Sequence, residues 1–208
     1  NETVELFGKN ATVPFINGCD NSYHPCQILA DALTILEKFG TLDVNLMYIG
    51  AKNNVFNSHV EFFSKMKKGT LYGLTPLVNE TACGPDFYEE AKKSGHYIEL
   101  DPSMSMEEAK EYANKMDVLY TDTWVDMEFF NNPAYQKQKE ETLAKMMPYQ
   151  LNGDFTKDSK AIVFHDMPMH VGFEISQDVV DKNLDHILDE AENRRHAEKA
   201  VMYTLLNS

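Results

Sequence analysis

"VNLMYIGAKNNVFNSHVEFFSKMKKG", residues 44–69, passes from a short apolar run, through a polar turn, into a charge-bearing amphipathic stretch closed by glycine. "VNLMYIG" is too short and too continuously apolar for a solvated helix and reads as a buried strand. Residues 57–68 carry the helical alternation, and Gly69 stands where a glycine ends a helix. The pattern recurs. Further strands are expected in "TVPFING" (12–18), "TLYGLTPL" (70–77), "HYIEL" (96–100), "DVLYTDTW" (117–124) and "KAIVFHDM" (160–167). Helices are expected over 85–94, 105–116 and 133–147, with Pro85 and Pro133 in first turns and Gly95 as a stop. Strands alternating with helices predict an α/β fold, an open parallel sheet between two helical layers.

Two further helices flank this block. "HPCQILADALTILEKFG" has Pro25 early, apolar residues at Ile28, Leu29, Ala32, Leu33 and Leu36, and Gly40 as its stop. "EAENRRHAEKAVMYTLLN" closes the chain. The first 22 residues hold one expected strand and no complete layer, so they read as the end of another domain, and the Asn at position 1 suggests a trimmed or omitted start.

At 208 residues and 43% hydrophobic, the chain can bury a sizeable core. The formal net charge of −14 argues against nucleic acid or an anionic membrane surface as partner. No apolar run approaches the roughly 20 residues of a membrane span, and no signal peptide is evident. Three cysteines, Cys19, Cys26 and Cys83, fit no zinc or disulfide spacing, so a reducing cytoplasm is the expected setting. Only two arginines occur, Arg194 and Arg195, and there is no glycine-rich phosphate loop. A multiply charged phosphate would need more than that.

In open α/β sheets, ligands bind beyond the carboxyl ends of the strands. "GAKNN", "TDTWVDM" and "HDMPMH" all fall there. Each has a plain alternative. Asn53 and Asn54 could simply cap the next helix, and Asp122 could be a solvated carboxylate rather than an amine-binding one. His24 could cap the helix that Pro25 opens, with Gln27 on the same face. Arg194 could be a surface residue, or be held by Glu192 and pointed at an anion. His165, Asp166 and His170 match neither H-E-x-x-H nor a facial metal triad, so no metal is expected.

Taken in order, "HPCQILADALTI", "IGAKNNVFNS", "DVLYTDTWVDM", "HDMPMHVGFEI" and "DEAENRRHAEKAVMYTLL" resemble the aspartate/ornithine carbamoyltransferase family, on its ornithine side. The resemblance implies a Rossmann-like second domain at 41–187, the end of a carbamoyl-phosphate domain at 1–22, a linker helix at 23–40, and a helix at 188–208 returning to the first domain. The S-T-R-T-R phosphate loop of the family lies outside these residues, which accounts for the scarcity of arginine. The family transfers the carbamoyl group of carbamoyl phosphate to a side-chain amine without metal or organic cofactor, and works as a trimer. By motif, His24 and Gln27 would hydrogen-bond the carbamoyl group and Arg194 would contact carbamoyl phosphate. Asn54 would bind the substrate α-carboxylate, Asp122 its α-ammonium, and Met127 would add backbone contacts. The family's H-C-L-P is here "HDMP". Asp166 and Met167 would therefore present side chain and backbone carbonyl to the reacting amine and the carbamoyl NH2, with Pro168 fixing the turn.

Two departures bear on the substrate. The family's Cys is Asp166, and its Ser in D-x-W-x-S-M-G is Asp126, with Glu128 replacing the Gly. A carboxylate beside the attacking amine favours its ammonium form unless it accepts the proton. One beside an α-carboxylate repels it by about 1 kcal/mol or more. Ornithine or a more cationic amine is the expected substrate. The competing expectation is a non-catalytic amino-acid-binding protein, or a degenerate paralogue, on the same fold.

Overall fold

A computed structural model describes residues 2–125 and 127–207, without the side chains of Met127 and Glu128. After an N-terminal helix α1 (Glu2–Asn10), the chain runs α2 (Pro25–Phe39), β1 (Asn45–Lys52), α3 (Asn54–Met66), β2 (Thr70–Val78), α4 (Pro85–Lys92) and β3 (Tyr97–Glu99). It continues with α5 (Met106–Ala113), β4 (Val118–Thr121), α6 (Met127–Phe130), α7 (Gln136–Met146), β5 (Ile162–His165) and α8 (Gln177–Leu206). The five strands pair in parallel in the order β3-β2-β1-β4-β5.

Each strand is apolar on both sides because each face is covered. From β1, Leu46 and Tyr48 enter one core with Val55, Phe56, Val60 and Phe63 of α3. Met47 and Ile49 enter the opposite core with Ala109 and Ala113 of α5 and Val179 and Ile187 of α8. The alternation is the period-two geometry of a strand. The expected three layers are therefore present.

Several local expectations are corrected. Residues 12–18 form no strand: they are mostly exposed, and no strand among the described residues lies beside them to take up their backbone hydrogen bonds. The chain start instead forms α1, whose Leu6 and Phe7 are exposed. Helix α3 begins at Asn54, three residues before the expected start, because Asn53 caps it by accepting from Phe56 N at 3.0 Å. It ends at Lys67, itself left-handed at φ 53°, and not at Gly69. The closing helix starts at Gln177, well ahead of the expected Glu190, and runs without a break through position 188. It packs along α2. No helix among the described residues is long and apolar enough to cross a membrane.

Gly69, at φ +65°, turns the chain into β2, and a Cβ there would lie 2.2 Å from Val44 O and 2.8 Å from Val44 N. Both obstacles are backbone and neither can swing away. Replacing Gly69 with Ala is expected to destabilise the fold by about 2–3 kcal/mol, a Tm drop of roughly 5–10 °C by calorimetry.

Candidate active site

The order of the sheet reverses between β1 and β4, where the connections leave in opposite directions and a crevice opens beyond the strand ends. A cavity of about 180 Å³ lies there, lined by His24, Asn53, Asn54, Val55, Asp122, Thr123, Asp166, Met167 and Pro168. Five of the residues singled out in the sequence are thereby gathered at one place: His24, Asn54, Asp122, Asp166 and Met167.

The strands deliver them. β1 ends at Lys52, so Asn53 and Asn54 turn the chain into α3 at the crevice. Asn53 is buried, and while its carbonyl oxygen caps the helix, its Nδ2 donates to Asp122 Oδ2 at 2.5 Å, bridging β1 and β4. The capping alternative thus describes Asn53. Sequence reading treated Asn53 only as a cap and missed this bridge; a second amide next to the cap was the available signal. Asn54 in the first turn donates to Asp20 O at 2.9 Å, which ties the segment before α2 to the crevice. Asp122 follows β4 and is buried, its other oxygen accepting from Thr123 N at 2.5 Å, so it is no solvated carboxylate. His24 N donates to Ser58 Oγ at 2.7 Å, while its buried Nδ1 has no partner among the described residues. Burial, then the Arg194 charge, lower the His24 imidazole to about 4, leaving it neutral at physiological pH.

The 165–175 loop follows β5. His165 is fully buried: its Nδ1 accepts from Met167 N at 3.0 Å, and its Nε2 donates to Glu174 Oε1 at 3.2 Å. His170 goes elsewhere and stacks on Phe130 with ring centroids 3.6 Å apart. The two rings brace the loop from different sides, while the His165 ring and the His170 backbone N–H both donate to Glu174 Oε1. Met167 sits at φ 45°, a left-handed conformation that ordinarily favours glycine, held by its bond to His165. Burial first, then the neighbouring Asp122 carboxylate, push Asp166 well above the usual carboxylate range.

Gln27 and Arg194 stand behind the cavity and do not line it. Gln27 is buried, its Nε2 donating to Asp31 Oδ1 at 2.8 Å and to Glu190 Oε1 at 2.9 Å, its carbonyl oxygen accepting from Arg194 Nη1 at 2.9 Å. Arg194 is held by Glu198, 2.9 Å from Nε, and not by Glu192, which pairs with Arg195 at 2.8 Å. On a helix, residue 198 lies one turn from Arg194 on the same face. The backbone of Met127 opens α6. Asp126 lies outside the described residues.

The aspartate/ornithine carbamoyltransferase family matches along nearly the whole chain: its Asp/Orn-binding domain over residues 42–205 and its carbamoyl-P-binding domain over residues 1–37. The chain belongs to this family. It is 35% identical to the ornithine carbamoyltransferase of Chlorobaculum tepidum over 212 aligned positions, 99% of this chain and 58% of that protein. It is 34% identical to the Archaeoglobus fulgidus enzyme, with 98% of this chain and 63% of that protein covered. Among solved structures, ornithine carbamoyltransferase from Pyrococcus furiosus superposes with a TM-score of 0.79 at 34% identity, covering 97% of this chain and 62% of that one. The anabolic enzyme from Campylobacter jejuni gives 0.83 at 27% identity, covering 99% and 66%. The chain thus spans about three fifths of the length of the curated relatives it matches.

Behind Gln27, this carbamoyltransferase-family chain buries an acid against a histidine. Burial pushes Asp31 up to about 7 and pulls His59 down to about 4. His59 Nδ1 donates to Val55 O at 3.0 Å, so Nε2 keeps its lone pair, 3.2 Å from Asp31 Oδ2. The Asp31 proton belongs between them. A carboxyl raised in the fold stabilises it fully below the unfolded value near 3.8, and that contribution is lost as pH rises through about 7. Asp31→Asn keeps the acceptor for Gln27 and gives His59 a permanent N–H donor. From about pH 6 to about pH 8.5, the variant is expected to lose less Tm than the wild type; parallel losses would count against this account.

Proposed function

We propose that the chain is the amine-binding part of an ornithine-type carbamoyltransferase, with residues 1–22 as the end of a carbamoyl-phosphate domain and 41–187 as the amino-acid domain. The observation that carries this reading is the convergence of His24, Asn54, Asp122, Asp166 and Met167 on one cavity at the switch point of the sheet. In it, Asn54 binds the substrate α-carboxylate, Asp122 the α-ammonium, and Met127 adds backbone contacts. The neutral side-chain amine attacks the carbonyl carbon of carbamoyl phosphate and forms the new C–N bond. The bond from that carbon to the phosphate-bridging oxygen breaks, and inorganic phosphate leaves. His24 and Gln27 hydrogen-bond the carbamoyl group as its oxygen gains charge, and Arg194 contacts carbamoyl phosphate. Positioning supplies most of the acceleration.

Asp166 resolves the charge objection raised by its sequence. Burial and the neighbouring Asp122 carboxylate make Asp166 hold its proton more tightly than an ordinary aspartate, so it opposes the neutral amine less than a fixed charge would. Once deprotonated, the same group is a stronger base than an ordinary aspartate and accepts the proton the amine loses on attack. The Met167 carbonyl receives the carbamoyl NH2. The whole enzyme is proposed to be a homotrimer with ornithine or a related amine as acceptor.

The 208 residues by themselves should bind ornithine in calorimetry yet form no citrulline from carbamoyl phosphate, whereas the same residues preceded by an S-T-R-T-R domain should turn over. Failure to form a ureido product with ornithine, lysine, putrescine or agmatine would overturn the transferase reading. Amine binding that is insensitive to carbamoyl phosphate would instead favour a binding protein. Asp166→Asn is expected to lower kcat about 100-fold or more and to flatten the rise of activity with pH, because the active form of Asp166 exists above its pKa. Asp122→Asn should weaken amine binding roughly 10- to 100-fold by loss of a charged hydrogen bond.

A further inference from the structure

Three of the elements assigned to the transfer step converge on a side chain to which the family resemblance assigned no role. Glu190 lies in α8, one turn before Arg194 and on the same face, and is completely buried. Its Oε1 accepts from Gln27 Nε2 at 2.9 Å and from Tyr120 OH at 3.3 Å. Its Oε2 accepts from His165 N at 2.9 Å, the last backbone donor before Asp166 and Met167. Gln27 in turn passes its carbonyl oxygen to Arg194 Nη1 at 2.9 Å. One carboxylate therefore touches α2, the end of β4 and the end of β5, and reaches the guanidinium through a single amide.

We infer that Glu190 is a positioning residue for the proposed carbamoyl transfer, fixing Gln27, Arg194 and the Asp166–Met167 turn in register with one another. It touches neither the cavity nor any reacting atom. Resting on the carbamoyl-transfer reading, the inference adds to it the part of the fold that aligns its two halves, the carbamoyl-side Gln27 and Arg194 and the amine-side loop.

The chemistry requires a carboxylate because three donors arrive at two oxygens, and an amide can accept at one end only. An apolar residue would leave the Gln27 amide and the His165 N–H short of acceptors in a dry interior. Burial first, then the neighbouring Asp31 charge, push Glu190 well above its usual range, and the three donors directed at its oxygens are what hold the carboxylate form in a dry interior. His59 closes that side as a neutral ring, and Arg194 supplies the compensating charge at the far end of Gln27. Asn54 and Asp122 lie outside these bonds, which separates amine binding from alignment.

Glu190→Gln preserves volume and turns one acceptor into a donor facing a donor. In the intact protein, kcat should fall about 10- to 100-fold while KM for the amine stays within about twofold, as expected when geometry is lost and binding is kept. Glu190→Asp, which keeps the carboxyl group but withdraws it by one methylene, should recover part of kcat and serves where the amide variant fails to fold. On the 208-residue chain, nitrogen-15 spectra of either variant should shift the His165 amide and the Arg194 Nε signal and leave the Asn54 side-chain amide in place. Unmoved His165 and Arg194 signals, or a raised KM with unchanged kcat, would overturn the proposal. If the wild type transfers no carbamoyl group to any amine, the functional reading fails, and the spectra still decide whether Glu190 sets this alignment.

Discussion

The pairing of β1 with β4 at the point where the strand order reverses constrains nearly everything else in the molecule, because the two chains that end there side by side leave in opposite directions. The crevice so opened must satisfy the polar groups at both strand ends. Asn53 meets that demand twice, capping α3 with its oxygen and donating to Asp122 with its nitrogen. Asp122 is thereby fixed in a buried position from which one edge still faces the cavity. A cavity beside an already satisfied carboxylate costs the fold little, which is why ligand sites collect at such switch points.

Around that crevice the protein concentrates acids to an unusual degree. Asp31, Asp122, Asp166 and Glu190 fall within one connected polar layer, with Gln27, His59 and Arg194 among them. Desolvation raises three of the four, and the fold directs N–H donors at the lone pairs of Asp31 and Glu190. Such a network discriminates among geometries more sharply than an apolar interior does, since each misplaced group strands another. It also ties α8 to the sheet, so that the long C-terminal helix holds Arg194 behind the cavity through Gln27.

Asp166 stands where the family resemblance implies a cysteine, and its place in the fold is what makes a carboxyl there intelligible. In water it would be a fixed negative charge opposing a nucleophilic amine. Buried beside Asp122, its carboxyl is pushed well above the usual range, and in the proposed reaction its deprotonated form accepts the proton the amine loses. The turn that carries it is held by a ring nitrogen of His165 receiving the Met167 N–H, and Glu174 holds that ring from the other side.

Much of this was legible in the sequence, and the reason is local. Continuous apolar runs alternating with amphipathic stretches determine a two-sided parallel sheet, since only burial on both faces makes such runs stable. The polar clusters at the run ends then name Asn54, Asp122 and the 165–168 bend as neighbours, because parallel strands all point one way. Residues 12–18 misled for the same reason: they have a strand's composition but no partner strand here, and composition cannot supply a hydrogen-bond partner. The choice of Asn53 as bridge, the withdrawal of Gln27 and Arg194 behind the cavity, and the convergence on Glu190 depend on contacts between residues 25 to 167 positions apart in the chain. No periodicity records such contacts. They were decided by how α2 and α8 pack across the end of the sheet, where desolvation makes every buried donor find an acceptor.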